Sequence, residues 1–224
     1  MIVLLFDIDG TLLSTGGAGM TALRAAMRDE FGVADPHEVP VSGRTDRGIA
    51  RSLFQCHDMD DTEEHWRRFR DAYLHHLEQE LPRKQGRVLP GVAAILATVA
   101  QLEHVQLGLL TGNVRRGAEL KLTQYGLWSY FKFGGFGDRH ADRDAVAAEA
   151  LAESRRHAPT ATKPDRVGVI GDTPMDVTWA RHIGARSVAV ATGSFQREAL
   201  EAYDPDVLLN DLGDVQPLLD RLLG

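Results

Sequence analysis

The chain has 224 residues, 43% of them hydrophobic and 25% charged, with a formal net charge of −7. That length can bury a sizeable core, as one domain or as one domain carrying an insertion. The acidic balance weighs against a nucleic-acid surface, and no apolar run approaches the length of a membrane span.

In chain order, the first expected strand is 2–7 (IVLLFD). No basic residue precedes it, so no signal peptide is read and the cytoplasm is the expected compartment. From residue 14 to about 86 the pattern turns helical. Met20, Leu23, Met27 and Phe31 fall at steps of three and four, and so do Trp66, Phe69, Tyr73 and Leu77. Nothing in this stretch reads as a strand. Cys56, the one cysteine, excludes an intrachain disulfide and reads as a small core residue. Arg67-Arg68-Phe69-Arg70 reads as a solvated helix face.

Pro82 and Gly86 mark a boundary. Beyond them helices are expected at 91–103, 114–125, 141–156 and 174–183. They alternate with strands at 105–111, 131–134, 166–171 and 187–191, and a last strand is expected at 206–209. Uninterrupted apolar strands alternating with helices point to a parallel sheet covered on both faces. The expected fold is α/β, a Rossmann-like core of residues 1–13 and 87–224 with an all-helical module, 14–86, inserted after the first strand.

Three strand ends carry the chemistry. "FDIDGT" puts Asp7 and Asp9 two apart, so both side chains project the same way at the C-terminal end of a strand, where open α/β sheets bind ligands. "VIGDTPMD" repeats the theme with Asp172 and Asp176, and Pro174 suits a first helical turn. Between them "LLTGN" ends a strand in Thr111, Gly112 and Asn113, groups able to hold a phosphate oxygen beside backbone N–H groups. Acids facing each other repel unless a divalent cation lies between them. Oxygen ligands favour Mg²⁺, which keeps waters and substrate phosphate as its other ligands.

"DIDGTLL", "LLTGN" and "GDTPMDV" together resemble three of the four motifs of the haloacid dehalogenase-like hydrolase superfamily, in order and over essentially the whole chain. The helical insertion is similar to the cap of its phosphoglycolate phosphatase and β-phosphoglucomutase branch. The resemblance implies that Asp7 is a nucleophile forming an aspartyl-phosphate and Asp9 the general acid/base. It implies Asp7, the backbone carbonyl of Asp9 and Asp172 as Mg²⁺ ligands, supported by Asp176, and Thr111 and Asn113 as the phosphate-holding pair with Gly112 between them. Asp9 and the pair 172/176 favour phosphoryl transfer over dehalogenation, which needs neither the metal nor a second Asp.

One motif departs from the family. Relatives place a Lys, often Lys-Pro, after the "YF" that follows the second motif; here the segment reads "YFKFGGFGDRHADRDAVAAEA". Arg143 lies closest to the expected place and Lys121 is its rival; Lys163-Pro164 has the right letters but comes too late.

Two further stretches could mislead. Gly17-x-Gly19-x-x-Ala22 superficially matches a dinucleotide fingerprint, but it lies too far beyond the strand and reads better as a hinge into the cap. The nine His show no ligand spacing.

"VSGRTDRG", residues 41–48, matches the cap loop that meets substrate in relatives. Arg44, Thr45 and Arg47 could reach a charged or hydroxylated leaving group, or Thr45 could simply cap a helix. The leading expectation is a Mg²⁺-dependent phosphatase of a small phosphorylated metabolite, phosphoglycolate-like or a sugar phosphate, working as monomer or homodimer without nucleic acid or membrane. A β-phosphoglucomutase-like phosphomutase and a non-catalytic binding protein of the same fold are the alternatives.

Overall fold

The computed structural model describes residues 1–157 and 166–213, together with Gln216 and Asp220. Its strands are β1 (Ile2–Phe6), β2 (Leu13–Ser14), β3 (Arg87–Val88), β4 (Val105–Leu110), β5 (Phe133–Gly135), β6 (Val167–Gly171), β7 (Arg186–Val190) and β8 (Val207–Leu209). Six of them form one sheet in the order β5-β4-β1-β6-β7-β8, every neighbouring pair parallel.

β1 is buried along its whole length because helices cover both faces of the sheet. Ile2, Leu4 and Phe6 face α4 (Val92–Val99) and α5 (Arg115–Gln124), in a cluster with Leu96, Leu107 and Leu122. Val3 and Leu5 face the other way, onto α6 (Arg143–His157) and α7 (Pro174–His182), in a cluster with Val146, Val169 and Trp179. α8 (Arg197–Glu201) covers a smaller cluster of Val177, Ala189 and Leu200.

The three helices α1 (Ala18–Phe31), α2 (Asp46–Cys56) and α3 (Glu63–Glu80) bury a cluster of their own around Met27, Phe54, Trp66, Phe69 and Tyr73. Val114 of the sheet-bearing part joins this cluster, so the helices seat directly above the C-terminal ends of the central strands.

The structure corrects the reading from sequence in several places. β2 and β3 form an antiparallel ribbon where the polypeptide leaves for the helices and returns. Two residues per strand are too few to show alternation. α4 covers Val92–Val99 and not the full 91–103. The strand expected at 131–134 is displaced to 133–135, because Phe131 turns inward to pack edge-on against Phe6. Cys56 is exposed, not a core residue: α2 buries Ile49, Ala50, Leu53 and Phe54, and position 56 falls off that face. In the basic cluster Phe69 is buried while Arg68 pairs with Glu30 and Arg70 with Asp71. Among the described residues no helix is long and apolar enough to cross a membrane.

Candidate active site

Asp7 and Asp172 follow the last residues of the adjacent parallel strands β1 and β6, and Asp176 sits in the first turn of α7. Register does the rest: one carboxylate oxygen from each of Asp7, Asp172 and Asp176 lies within 4.8 Å of the other two. All three are buried. Backbone without side chains closes around them. A Cβ added to Gly10 would lie 2.4 Å from Asp172 Oδ2, one on Gly171 would lie 2.0 Å from Asp176 Cγ, and one on Gly193 would lie 1.7 Å from Asp172 Oδ2. Gly10 also has φ +84, the left-handed turn that carries the polypeptide out of the sheet.

Thr11 Oγ1 donates to Asp172 Oδ1 at 2.9 Å. Thr173, the N-cap of α7, donates to Asp176 Oδ2 from its backbone N–H at 2.9 Å and from its hydroxyl at 2.7 Å. Among the described residues, Asp176 Oδ1 is buried without a partner. Burial, with the Asp176 charge second, pushes Asp7 up to about 7, although Arg143 pulls the other way. Burial, then Asp176 and Asp7, raises Asp172 well above the ordinary carboxylate range. Burial raises Asp176 too, against Arg143 and the Thr173 donors. An orphaned carboxylate oxygen within a crowded acid trio is what a hard divalent cation would satisfy, so these residues fit Mg²⁺.

The two basic candidates both reach the site and serve different acids. Arg143 opens α6 with Nη2 3.8 Å from Asp7 Oδ2, and its guanidinium lies 3.6 Å from the centre of the Trp179 ring. Lys121, from α5, donates to Asp9 Oδ2 at 2.6 Å and to Asn113 Oδ1 at 2.6 Å. Asn113 Nδ2 reaches the same Asp9 oxygen at 2.9 Å and Thr111 Oγ1 at 2.8 Å. Burial opposes the charge on Lys121, but the carboxylates of Asp9 and Asp46 outweigh it and hold the amine above its ordinary range. Lys163 and Pro164 lie outside the described residues.

The loop before α2 borders the cavity over the acids through Val41, Ser42, Gly43 and Arg44, and the helix-cap alternative holds for Thr45. Thr45 is the N-cap of α2: its Oγ1 accepts from Gly48 N at 2.9 Å and donates to Ala141 O at 3.1 Å, so the buried hydroxyl faces backbone and not a leaving group. Arg44 donates to Gly48 O at 3.2 Å and Ser52 Oγ at 2.8 Å. Arg47 pairs with Asp61 and lies over the Trp66 ring. Gly112, between the phosphate-holding candidates, meets this loop through its backbone, for a Cβ there would lie 2.1 Å from Arg44 O.

Asp46 is the residue that sequence reasoning passed over. Its backbone N–H donates to Gly112 O at 2.8 Å, and its Oδ2 accepts from Val114 N at 2.8 Å. Val114 opens α5 without a side-chain cap of its own, so Asp46 supplies one from across the interface. Burial pushes Asp46 up to about 6, with Lys121 opposing. An acid in the first turn of a helix is ordinary, and only its burial marks this one. Tyr73 was legible as apolar periodicity alone, yet a buried phenol requires a polar neighbour, and here it faces Lys121. Gly17, with φ +90, opens α1, and Gly17 and Gly19 line the cavity rather than cradle a dinucleotide.

That cavity, about 250 Å³, is bounded below by Asp7, Asp9, Asn113 and Asp172 and above by Met20, Ile49 and Tyr73.

A family model described as haloacid dehalogenase-like hydrolase matches residues 4–181. A protein of Dickeya dadantii named "Probable phosphatase IndB" is 29% identical over 99% of this chain and 94% of its own length. The phosphoglycolate phosphatase of Synechococcus elongatus is 28% identical over 100% of this chain and 99% of its own. The crystal structure of a hydrolase from Pseudomonas syringae superposes with a TM-score of 0.73 at 22% identity, covering 99% of each chain, which speaks to the fold.

Proposed function

The chain belongs to the haloacid dehalogenase-like hydrolases and is a phosphoric monoester hydrolase, and from that premise we propose that it is a Mg²⁺-dependent phosphatase of a small phosphomonoester, acting through an aspartyl-phosphate on Asp7. The observation that carries the reading is the buried trio Asp7, Asp172 and Asp176, drawn together at the C-terminal edge of the sheet. On this reading residues 1–13 and 87–224 are the catalytic core and 14–86 the cap. Phosphoglycolate and sugar phosphates are the first candidates as substrates. Asp7, the Asp9 carbonyl and Asp172, with Asp176 in support, would hold Mg²⁺, which neutralises charge on the trio and the phosphoryl oxygens when bound.

The protein's own groups then divide the work. Asp7 attacks phosphorus, and the bond from phosphorus to the ester oxygen breaks. Asp9 gives that oxygen a proton, so an alcohol leaves. Water next attacks the phosphoryl group and yields a proton to Asp9, and breaking the bond from phosphorus to Asp7 restores the carboxylate. Asn113 and Lys121 hold Asp9 Oδ2 from two sides, fixing the carboxyl in place. Arg143 sits beside Asp7 where negative charge accumulates during transfer. Thr111 orients Asn113 through a hydrogen bond.

Hydrolysis of an aryl phosphate with and without Mg²⁺ tests the reading; no turnover in either condition would overturn it. Arg143→Ala should lower kcat and weaken binding of a transition-state analogue together, by about 10²-fold or more. Lys121→Ala should lower kcat with little change in analogue binding, since it holds Asp9 rather than the phosphoryl group. The reverse pattern would transfer the neutralising role to Lys121.

The raised carboxyls also predict a pH dependence with a definite sign. Unfolded, these groups titrate near 3.8, whereas Asp7 in the folded protein titrates near 7 and Asp46 near 6. Between those values the folded state binds more protons than the unfolded state. The metal-free protein therefore loses stability as pH rises from about 4 to about 7. Mg²⁺ binds the ionised trio, so its stabilisation should grow over the same interval. At a hundredfold excess over Kd it contributes about 2.7 kcal/mol, roughly 5–10 °C in Tm for a chain of this size. Thermal melts with Mg²⁺ and with chelator across that range check it. An increment that shrinks toward neutral pH contradicts the metal assignment.

A further inference from the structure

The two arginines expected to meet the leaving group both have partners, although Arg44 borders the cavity. The Arg44 guanidinium is held by the Pro40 and Gly48 carbonyls and Ser52, and that of Arg47 by Asp61 and the Trp66 ring. Of the other cations at the cavity, Lys121 is bound to Asp9 and Arg143 lies at Asp7. The cavity carries a further acid, Asp46, on its cap side. Among the described residues, then, each cation bordering the cavity already lies against other groups, although no carboxylate pairs with Arg44.

Apolar groups line the wall opposite the acids: Met20, Leu23, Val41 and Ile49. The same four residues border a second cavity among the cap elements, of about 310 Å³, which Leu53, Pro36, Arg24, His37 and Glu38 also line. The two cavities stand on either side of one wall of aliphatic side chains. Met20, 43% exposed and unbranched, is the member freest to move.

We propose that the alcohol released by this phosphatase carries an apolar or aromatic portion, which packs on Met20, Leu23, Val41 and Ile49 and extends toward the second cavity. This rests on the phosphatase reading and ranks carbon-rich esters above phosphoglycolate. Excluding water from such a wall favours each added methylene, while a carboxylate on the same wall is desolvated without a partner.

The test is kcat/KM for methyl, butyl and hexyl phosphate, phenyl phosphate, glucose 6-phosphate and phosphoglycolate, all with Mg²⁺. The expected result is a rise of up to about fourfold per methylene along the alkyl series, with phosphoglycolate at the bottom. Met20→Arg, a change at an exposed position, should flatten that series and raise phosphoglycolate relative to hexyl phosphate. Turnover of all the esters with a flat series, or with phosphoglycolate at the top, overturns this assignment and leaves the phosphatase reading standing. An unchanged ranking in Met20→Arg equally overturns it. No turnover of any ester overturns the phosphatase reading and this assignment with it.

Discussion

Asp7→Asn should yield a folded protein that hydrolyses no phosphomonoester, with a loss of kcat on the order of 10⁴ or more. Asn matches the shape of Asp but is a poor nucleophile and cannot re-form a carboxylate after transfer. The structure adds a second expectation that separates lost chemistry from lost folding. Asp7 is buried beside Asp172 and Asp176, and burial pushes its carboxyl up to about 7. Near and above that pH its ionised form opposes folding of the metal-free protein. Removing the charge should therefore raise the Tm measured in chelator while Mg²⁺ affinity falls. Activity lost together with a lowered metal-free Tm would instead mean that Asp7 is a structural residue.

Asp9→Asn should cost about 10²–10⁴ in kcat with Mg²⁺ still bound. The backbone carbonyl that would meet the metal is unchanged, whereas the amide can neither donate the leaving-group proton nor take one from water. Lys121 keeps an acceptor in the Asn carbonyl, and Asp46 remains nearby to balance its charge. The fold should survive. The discriminating substrate is one whose leaving group needs no proton: with a dinitrophenyl phosphate, the first step should be nearly insensitive to the change, while the water-dependent second step slows and phosphoenzyme accumulates. Collapse of Mg²⁺ affinity in this variant would assign the side chain, rather than its carbonyl, to the metal.

The acid edge was legible because its logic is local. A buried strand ending in carboxylates is costly without a cation or a reaction, and β1 and β6 both end that way. Period-two projection then places Asp7 and Asp9, and parallel order brings Asp172 alongside. What was not legible depends on contacts between distant segments. Arg44 borders the cavity, but its guanidinium also takes Ser52, one turn beyond the loop's reach in sequence, as a partner. Thr45 and Asp46 look like the start of a helix, and they are, but both also bind the sheet-bearing part at Ala141, Gly112 and Val114. Spacing favoured Arg143 over Lys121, but it could not show that both helices point into one cavity and that each ends on a different acid. The β2–β3 ribbon and the exposed Cys56 were missed for a simpler reason: two-residue strands and helix rims leave no periodic trace.

The covalent role of Asp7 is tested most directly by mixing the protein with Mg²⁺ and excess aryl phosphate, quenching in acid within the first turnovers, and mapping phosphate by peptide mass spectrometry. The expected result is a phosphoryl group on the N-terminal peptide, localised to Asp7, labile to hydroxylamine, absent in Asp7→Asn and enriched in Asp9→Asn. Turnover at the full rate with no phosphate on Asp7 in either wild type or Asp9→Asn would contradict it.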